Sequence, residues 1–532
     1  MPMTLRPAAA LAAAAILLIG AGLAGCAGGP PLPADPAGRL FARGLDDIAE
    51  FYISPVSSRL VALAGAARLS GLDDKFAVVE SPGQEGGTEI VLSYGEREVA
   101  DYPSPPDDPH SWGAWLGRLI ADAKTSSRAV AALADDRIDE AVFDGMMSAL
   151  DRFSRYASPE AARDQRAARD GFGGIGVTLD VSSGELRIAS VSPGGPAAVA
   201  GLRPGDRIVA IDRQATAGRS EDDVVDQLRG PVLSPVEVAI DRPGLAGSRS
   251  FRLRRALIIL PTVTLSRDDD IAVLRVTSFN QDTTQQIVED LGRLQRETRL
   301  SGIVLDLRGN PGGLLDQAVS LSDVFIAKGP IVSTVGRHPA SHQFFEASGD
   351  SLAPQIPIVV LIDGGSASAS EIVAAALQDD GRAVVIGSAS YGKGTVQTVL
   401  RLPNDGELTL TWARLVTPSG YFLNQHGVVP NVCTSDLGND ERSIRIALQR
   451  AGAPSLASPL ISRPRASLDD NDWSRLRRSC PARRGNHPID LTVAERLLVD
   501  PVLYGEAVHV IATAQSPAAG AVAAVPAAAG LP

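Results

Sequence analysis

From Ile271 onward the chain alternates short apolar runs with amphipathic stretches. The pattern predicts strands at Ile271–Val276, Gly302–Leu307, Ile358–Ile362, Ala383–Ile386 and Thr395–Leu402. Helices at Thr284–Glu297, Leu314–Phe325 and Ser368–Gln378 separate them. Such alternation implies an α/β core around a mostly parallel, buried sheet. Upstream, Gly171–Arg254 changes period to strands and turns, with strands at Val177–Val181, Arg207–Asp212 and Val236–Asp241 and a short helix at Glu221–Leu228. Earlier still, Arg39–Leu69 and Arg137–Arg163 have helical spacing, and Ile138, Val142, Met146 and Leu150 form one stripe of the second. Between them Val79–Ser104 is punctuated by Gly and Pro and shows one short alternating strand, Glu89–Leu92, which reads as an insertion in a helical N-terminal region.

Both ends depart from these patterns. Ala8–Gly25 is an unbroken run of Ala, Leu, Ile and Gly preceded by Arg6, and it ends in small residues as a secretory signal does. Its end, Leu23-Ala-Gly-Cys26, resembles the bacterial lipoprotein signal, in which the cysteine thiol takes the lipid; an uncleaved anchor is the alternative. Ala27–Pro36 reads as a flexible tether, and the Ala/Pro/Gly/Val-rich stretch Ser516–Pro532 as a disordered tail.

Composition narrows the function classes. The 62 acidic residues outnumber 50 basic ones, for a net charge of −12, and no Lys/Arg cluster stands out, which argues against a nucleic-acid partner. Three cysteines are too few for a disulfide scaffold or a Cys-rich zinc site, and no metal or cofactor is expected. With Cys26 lipidated, Cys433 and Cys480 remain available to each other in an oxidising compartment. Only four of the basic residues are lysines: Lys75, Lys124, Lys328 and Lys393.

Strand Val359–Ile362 runs into Asp363-Gly-Gly-Ser-Ala-Ser-Ala-Ser-Glu371 and then an Ala-rich helix. Serines at such a turn meet unpaired N–H groups and a helix dipole, both suited to a developing oxyanion. No His lies between His342 and His426 to serve as base; Lys393, in Tyr391-Gly-Lys-Gly394, is the nearest informative residue. Arginine cannot be deprotonated in a protein, whereas a desolvated lysine can. A lysine between two glycines in a chain that otherwise uses arginine is therefore a candidate base, with a surface turn residue as the plain alternative. Gly171-Phe-Gly-Gly-Ile-Gly176 spells a dinucleotide fingerprint, but a helix precedes it and a strand follows, the reverse of what that site needs. Gly387–Lys393 misses a phosphate-binding loop because Gly394 stands where Ser or Thr should be.

Gly171–Arg254, with Ser192-Pro-Gly-Gly-Pro-Ala-Ala-Val-Ala-Gly-Leu-Arg-Pro-Gly-Asp206, resembles a PDZ domain. The resemblance places the carboxylate-binding loop on Gly173, Gly174, Ile175, Gly176 and Val177. Ser366–Glu371, Tyr391–Gln397, Leu305-Asp-Leu-Arg-Gly-Asn-Pro-Gly-Gly313 and Thr417-Pro-Ser-Gly420 together resemble the C-terminal processing serine peptidases of the S41 type. That resemblance implies a ClpP/crotonase-like α/β peptidase core with an inserted β-rich PDZ domain. It makes Ser368 the nucleophile, Lys393 its base and Gln397 the residue that orients the lysine. Ala369 with Gly312 or Gly313 supplies the oxyanion N–H groups, and Asp379 is a supporting acid. The expected organisation is a signal peptide over 1–25, a tether over 26–37 and a helical region over 38–168. The PDZ domain follows over 169–256, the peptidase core over 257–435, a C-terminal region over 436–514 and a tail over 515–532. The expected partners are protein substrates held by their C-terminus and, through Cys26, a membrane; a homo-oligomer or adaptor stays open. The expected location is the cell envelope, at the periplasmic face of an outer membrane. The contrasting expectation is a lipid-tethered PDZ scaffold on a retired protease core.

Overall fold

The structure, a computed structural model, describes residues 35–515 apart from 83–86, 183–184, 245, 454 and 456–457. The signal, Cys26, most of the tether and the tail from 516 lie outside the described residues.

The α/β core is built on a sheet in the order Val263–Asp268, Ile271–Val276, Gly302–Asp306, Ile358–Ile362, Ala383–Gly387, Val432–Cys433. The first pair is antiparallel and the other pairs are parallel. Gly302–Asp306, Ile358–Ile362 and Ala383–Gly387 are buried at every position, as expected of parallel strands covered on both faces. One face, through Leu274, Ile303, Leu305, Val360 and Ile362, packs on helices Thr283–Glu297, Leu315–Phe325 and Ala369–Asp379. The other, through Val304, Val359, Leu361, Val384 and Ile386, packs on helices Glu441–Gly452 and Pro488–Leu498. The C-terminal region is thus the second cover of this sheet. Cys433, at the end of the last strand, forms a disulfide with Cys480.

The strand at Thr395–Arg401 does not join that sheet. It pairs with Glu407–Val416 in a separate antiparallel sheet that also takes Pro330–Gly336, Gln343–Glu346 and Arg155–Ala157. Its half-exposed, alternating burial is that of an edge strand, unlike the solid runs of the parallel sheet.

The N-terminal region packs helices Pro36–Phe51, Ser58–Ala67, Pro109–Ser126 and Asp135–Ser148 around Phe41, Trp112, Trp115 and Phe143. Ile138, Val142 and Met146 are buried, whereas the helix ends before Leu150. The insertion holds three strands rather than one: Phe76–Pro82, Thr88–Tyr94 and Arg97–Pro103 form an antiparallel meander. Only Phe76, Ile90, Leu92 and Tyr102 are buried there, so the flanking strands carry little apolar signal.

The PDZ domain orders its strands Arg249–Arg254, Pro235–Asp241, Arg207–Ile211, Glu185–Val191, Val177–Ser182, which leaves Val177–Ser182 as an edge. A two-stranded ribbon, Phe172–Gly174 with Ala256–Ile258, connects it to the core.

Candidate active site

Strand Ile358–Ile362 ends in a tight turn, and helix Ala369–Asp379 begins directly after it with Ser368 as N-cap. Ser368 has φ 55° and ψ −116°, a strained backbone for a residue with a Cβ, and such strain persists only where the surroundings impose it. Glu371 imposes it. Its Oε2 accepts the Ser368 N–H at 2.8 Å, and its own N–H donates to the Ser368 carbonyl at 2.8 Å. The same Oε2 accepts the Lys393 N–H at 2.9 Å, while Oε1 takes the Gly392 N–H at 2.7 Å and the Ser390 hydroxyl. Glu371 is fully buried, and burial pushes its carboxyl up against the pull of those four bonds. One carboxylate therefore holds the backbones of both Ser368 and Lys393.

The three serines of the turn differ in what their hydroxyls do. Ser366 donates to the Leu307 carbonyl at 2.9 Å and Ser370 to the Asn310 carbonyl at 2.9 Å, both fully buried. Ser368 donates to no described group, which leaves its hydroxyl available.

The turn Asn310–Gly313 lies against the nucleophile. A Cβ on Gly312 (φ 102°) would sit 2.8 Å from the Ser368 Cβ and 3.0 Å from the Ala369 N, so glycine is required there. The Gly312 N–H is already given to the Asn310 side-chain oxygen at 2.8 Å. The Gly313 N–H and, at the first position of the helix, the Ala369 N–H have no described acceptor. Buried Asn310 stitches the two turns: its carbonyl accepts from the Ala367 N–H at 3.0 Å and its side-chain amide donates to the Val276 carbonyl at 3.0 Å.

Lys393 is half-buried, with its Nζ 5.4 Å from the centre of the Phe153 ring. Burial, then the charge of Arg155, lower its pKa from the usual lysine range, and Glu371 and Asp151 oppose them. A Cβ on Gly394 would lie 1.8 Å from the Asn424 N, which explains the glycine after the lysine. Gln397 donates to the Thr395 hydroxyl at 2.9 Å and makes no hydrogen bond to Lys393. Its amide also reaches the Thr411 hydroxyl at 3.4 Å, which donates to Asp151 at 3.2 Å. Asp379 sits at the far end of the nucleophile helix, where it accepts from the Ser419 N–H at 2.9 Å and hydroxyl at 2.7 Å. It anchors the Thr417–Gly420 turn and does not touch Ser368 or Lys393.

In the PDZ domain Gly173 and Gly174 belong to the connecting ribbon. The Gly173 carbonyl accepts from the Gly230 N–H at 3.0 Å, and a Cβ there would meet the Gly230 oxygen at 2.0 Å. Ile175 and Gly176 use their carbonyls, toward the Ala197 and Ser192 N–H groups, but their own N–H groups have no described acceptor. The Ile175 side chain is buried in the domain core, and Val177 opens the edge strand.

Sequence reasoning missed Glu371 and Asn310. Both were inside quoted motifs, yet their roles appear only when the two turns are seen to share them. Among the described residues no group of His, Cys, Asp and Glu could hold a metal ion, and no helix is long and apolar enough to cross a membrane.

An available serine hydroxyl at a strained helix N-cap, a half-buried lysine tied to it, unpaired amides beside it and a PDZ domain define a serine-type peptidase. The profile of peptidase family S41 matches residues 270–434 and a PDZ profile residues 187–242. The carboxy-terminal-processing protease of Bartonella bacilliformis is 41% identical over 302 residues, 56% of this chain and 70% of its own. The carboxy-terminal processing protease CtpA of Bacillus subtilis is 32% identical over 301 residues, 56% of this chain and 64% of its own. This chain belongs to the S41 family of carboxy-terminal processing serine peptidases. Among solved structures, the photosystem II D1 C-terminal processing protease shares 25% identity over 75% of this chain and 93% of its own, with a TM-score of 0.37.

Proposed function

We propose that the chain is an endopeptidase that uses Ser368 and Lys393 as a dyad and recognises protein substrates by their C-terminus through the PDZ domain. The observation that carries the dyad is the shared Glu371 oxygen, which holds nucleophile and base while Ser368 alone of the three serines keeps its hydroxyl proton uncommitted. Neutral Lys393 takes that proton, the Ser368 oxygen attacks the scissile carbonyl, and the oxyanion receives N–H bonds from Ala369 and Gly313. The protonated lysine then gives its proton to the leaving amine, and water enters by the same route to release the acyl group. Lys393 must be neutral to begin, so kcat/KM rises with pH through its titration, and burial brings that limb below the ordinary lysine range.

Two substitutions test the dyad on an unfolded protein substrate. Ser368→Ala and Lys393→Arg are both expected to abolish turnover, because arginine keeps the charge but cannot act as base. Turnover by either variant sinks the assignment, and an inert wild type would favour the scaffold alternative.

In the PDZ domain the unpaired Ile175 and Gly176 amides suit a terminal carboxylate, and the open Val177–Ser182 edge suits pairing with the chain that leads to it. For location, the proposal is a lipoprotein anchored through Cys26 at the periplasmic face of an outer membrane. Cys26→Ser should then lose detergent-phase partitioning, and equal partitioning of variant and wild type removes the anchor.

A further inference from the structure

The residues after the S41 match include a segment that reaches back to both catalytic turns. Helix Asp470–Ser479 ends at Cys480, which the disulfide ties to Cys433, and the chain then runs on extended past Arg483 and Gly485. On the nucleophile side, the Gly364 N–H donates to the Arg483 carbonyl at 2.6 Å and the Gly485 N–H to Asp363 at 3.0 Å. On the lysine side, the Arg483 N–H donates to the Ser388 hydroxyl at 3.0 Å. Arg477, half-buried, donates to the Ser390 carbonyl at 3.0 Å and to the His426 carbonyl. Ser390 is the residue whose hydroxyl donates to Glu371. The three groups meet at Gly427, where an added Cβ would lie 2.6 Å from the Ser390 hydroxyl, 2.8 Å from an Arg477 nitrogen and 3.1 Å from Glu371 Oε1.

We propose that the disulfide-tethered segment Trp473–Gly485 is a brace for the active site, and that Arg477 is a positioning residue acting on Lys393 through Ser390 and Glu371. This rests on the reading that Ser368 and Lys393 do the chemistry. The brace adds a third tie to two turns that the pairing of their strands and the Tyr391 N–H on the Ser366 carbonyl at 3.0 Å already hold side by side. Arg477 also supplies a positive charge beside a carboxylate whose hydrogen-bond donors are neutral, with Tyr421 and Lys393 the other titratable groups near it. Lys393 in turn faces Glu371 from the nucleophile helix, and Arg155 and Asp151 from the segment before the PDZ domain. Without Arg477 the buried Glu371 carboxyl holds its proton to higher pH. Lys393 then loses a negative neighbour and its pKa falls. The acidic limb of kcat/KM should therefore move to lower pH, while the loosened turns lower kcat.

The test compares Arg477→Gln and Arg477→Lys with wild type on one unfolded protein substrate, with active sites titrated by a fluorophosphonate. For Arg477→Gln the expected result is a fall in kcat of about tenfold or more, the scale of losing a charged hydrogen bond, with KM little changed and the acidic limb displaced downward. Arg477→Lys should restore the limb and part of kcat. Wild-type kcat and limb in Arg477→Gln overturn the proposal. So does a loss that matches fewer titratable sites with an unmoved limb, since that is only a structural staple. If Arg477→Gln fails to fold, Arg477→Lys decides alone: kcat reduced per titrated site supports the brace, and wild-type kcat overturns it. Activity in Ser368→Ala or Lys393→Arg overturns the dyad itself, an outcome distinct from any of these.

Discussion

The PDZ domain and the C-terminal brace both lie against the catalytic unit through arginines, yet the two seams are built differently. The PDZ helix Glu221–Leu228 and the residue after it meet helix Pro159–Asp170 through Arg163–Asp226 and Arg229–Asp164, pairs whose members are mostly about half-exposed. A cavity of about 290 Å³ lies in the same seam, lined by Ala167, Phe172, Val225 and Leu260 among others. Exposed pairs of this kind contribute about 0–1 kcal/mol each and are screened by salt. Helix Pro159–Asp170 is itself fixed to the separate antiparallel sheet, because Arg166 and Arg169 both pair with buried Glu407 at the start of strand Glu407–Val416. Burial would raise the Glu407 carboxyl, but the two arginines outweigh it and hold it low. The weak seam is thus on the PDZ side of that helix. The brace, by contrast, is joined by a covalent bond and by N–H groups donated to backbone carbonyls and buried acceptors. The ion pairs of the PDZ seam are cheap to separate, and the covalent and buried attachments of the brace are not. On the proposed function the PDZ domain has to present a captured tail to the cleft, whereas the proposed brace must stay put.

Removing the disulfide should break the contrast most severely. The two cysteines are 47 positions apart, and a cross-link closing a loop of that size contributes ~4 kcal/mol in the chain-entropy picture. Cys433→Ala with Cys480→Ala should lose stability on that scale in chemical denaturation. A loss under ~1 kcal/mol with full activity would show the brace to be no tighter than the PDZ seam. A smaller effect is expected when the carboxylate of a long unfolded substrate is amidated. One charge-assisted hydrogen bond contributes roughly 1.5–3 kcal/mol, so apparent affinity should fall about ten- to a hundredfold, and less for short peptides that enter the cleft directly. Identical rates for amidated and free-acid forms would leave the PDZ domain without terminal-carboxylate recognition. The smallest effect belongs to the seam itself. Arg163→Ala should change unfolding free energy by less than ~1 kcal/mol. A larger loss in the same denaturation assay would place that seam in the locked class.

What could be read from the sequence followed the range of the interactions concerned. Ile358–Ile362 announced itself because all five residues are apolar and buried, and helix Glu221–Leu228 because Ser220 and Asp223 form a capping box within four positions. The nucleophile turn was legible for the same local reason. The meander at 76–103 was obscured by charged, exposed flanking strands. Thr395–Arg401 was legible as a strand but not as a member of the second sheet, since partner choice is not local. The brace was the least visible. In Asp470–Ser479 the run Ser-Arg-Leu-Arg-Arg reads as a solvated helical face, and Arg477 finds Ser390 across 87 positions. The pairing of Cys433 with Cys480 was open for the same reason: spacing alone does not bring two thiols together.

The order of these parts along the chain bears on how the enzyme comes into being. Ser368 and Lys393 emerge during synthesis well before Arg477 and Cys480. The 87 positions between Ser390 and Arg477 mean that nucleophile and base reach the compartment where the chain folds ahead of their brace. On the brace proposal, a nascent chain is a poor peptidase until its last helices have folded over the sheet.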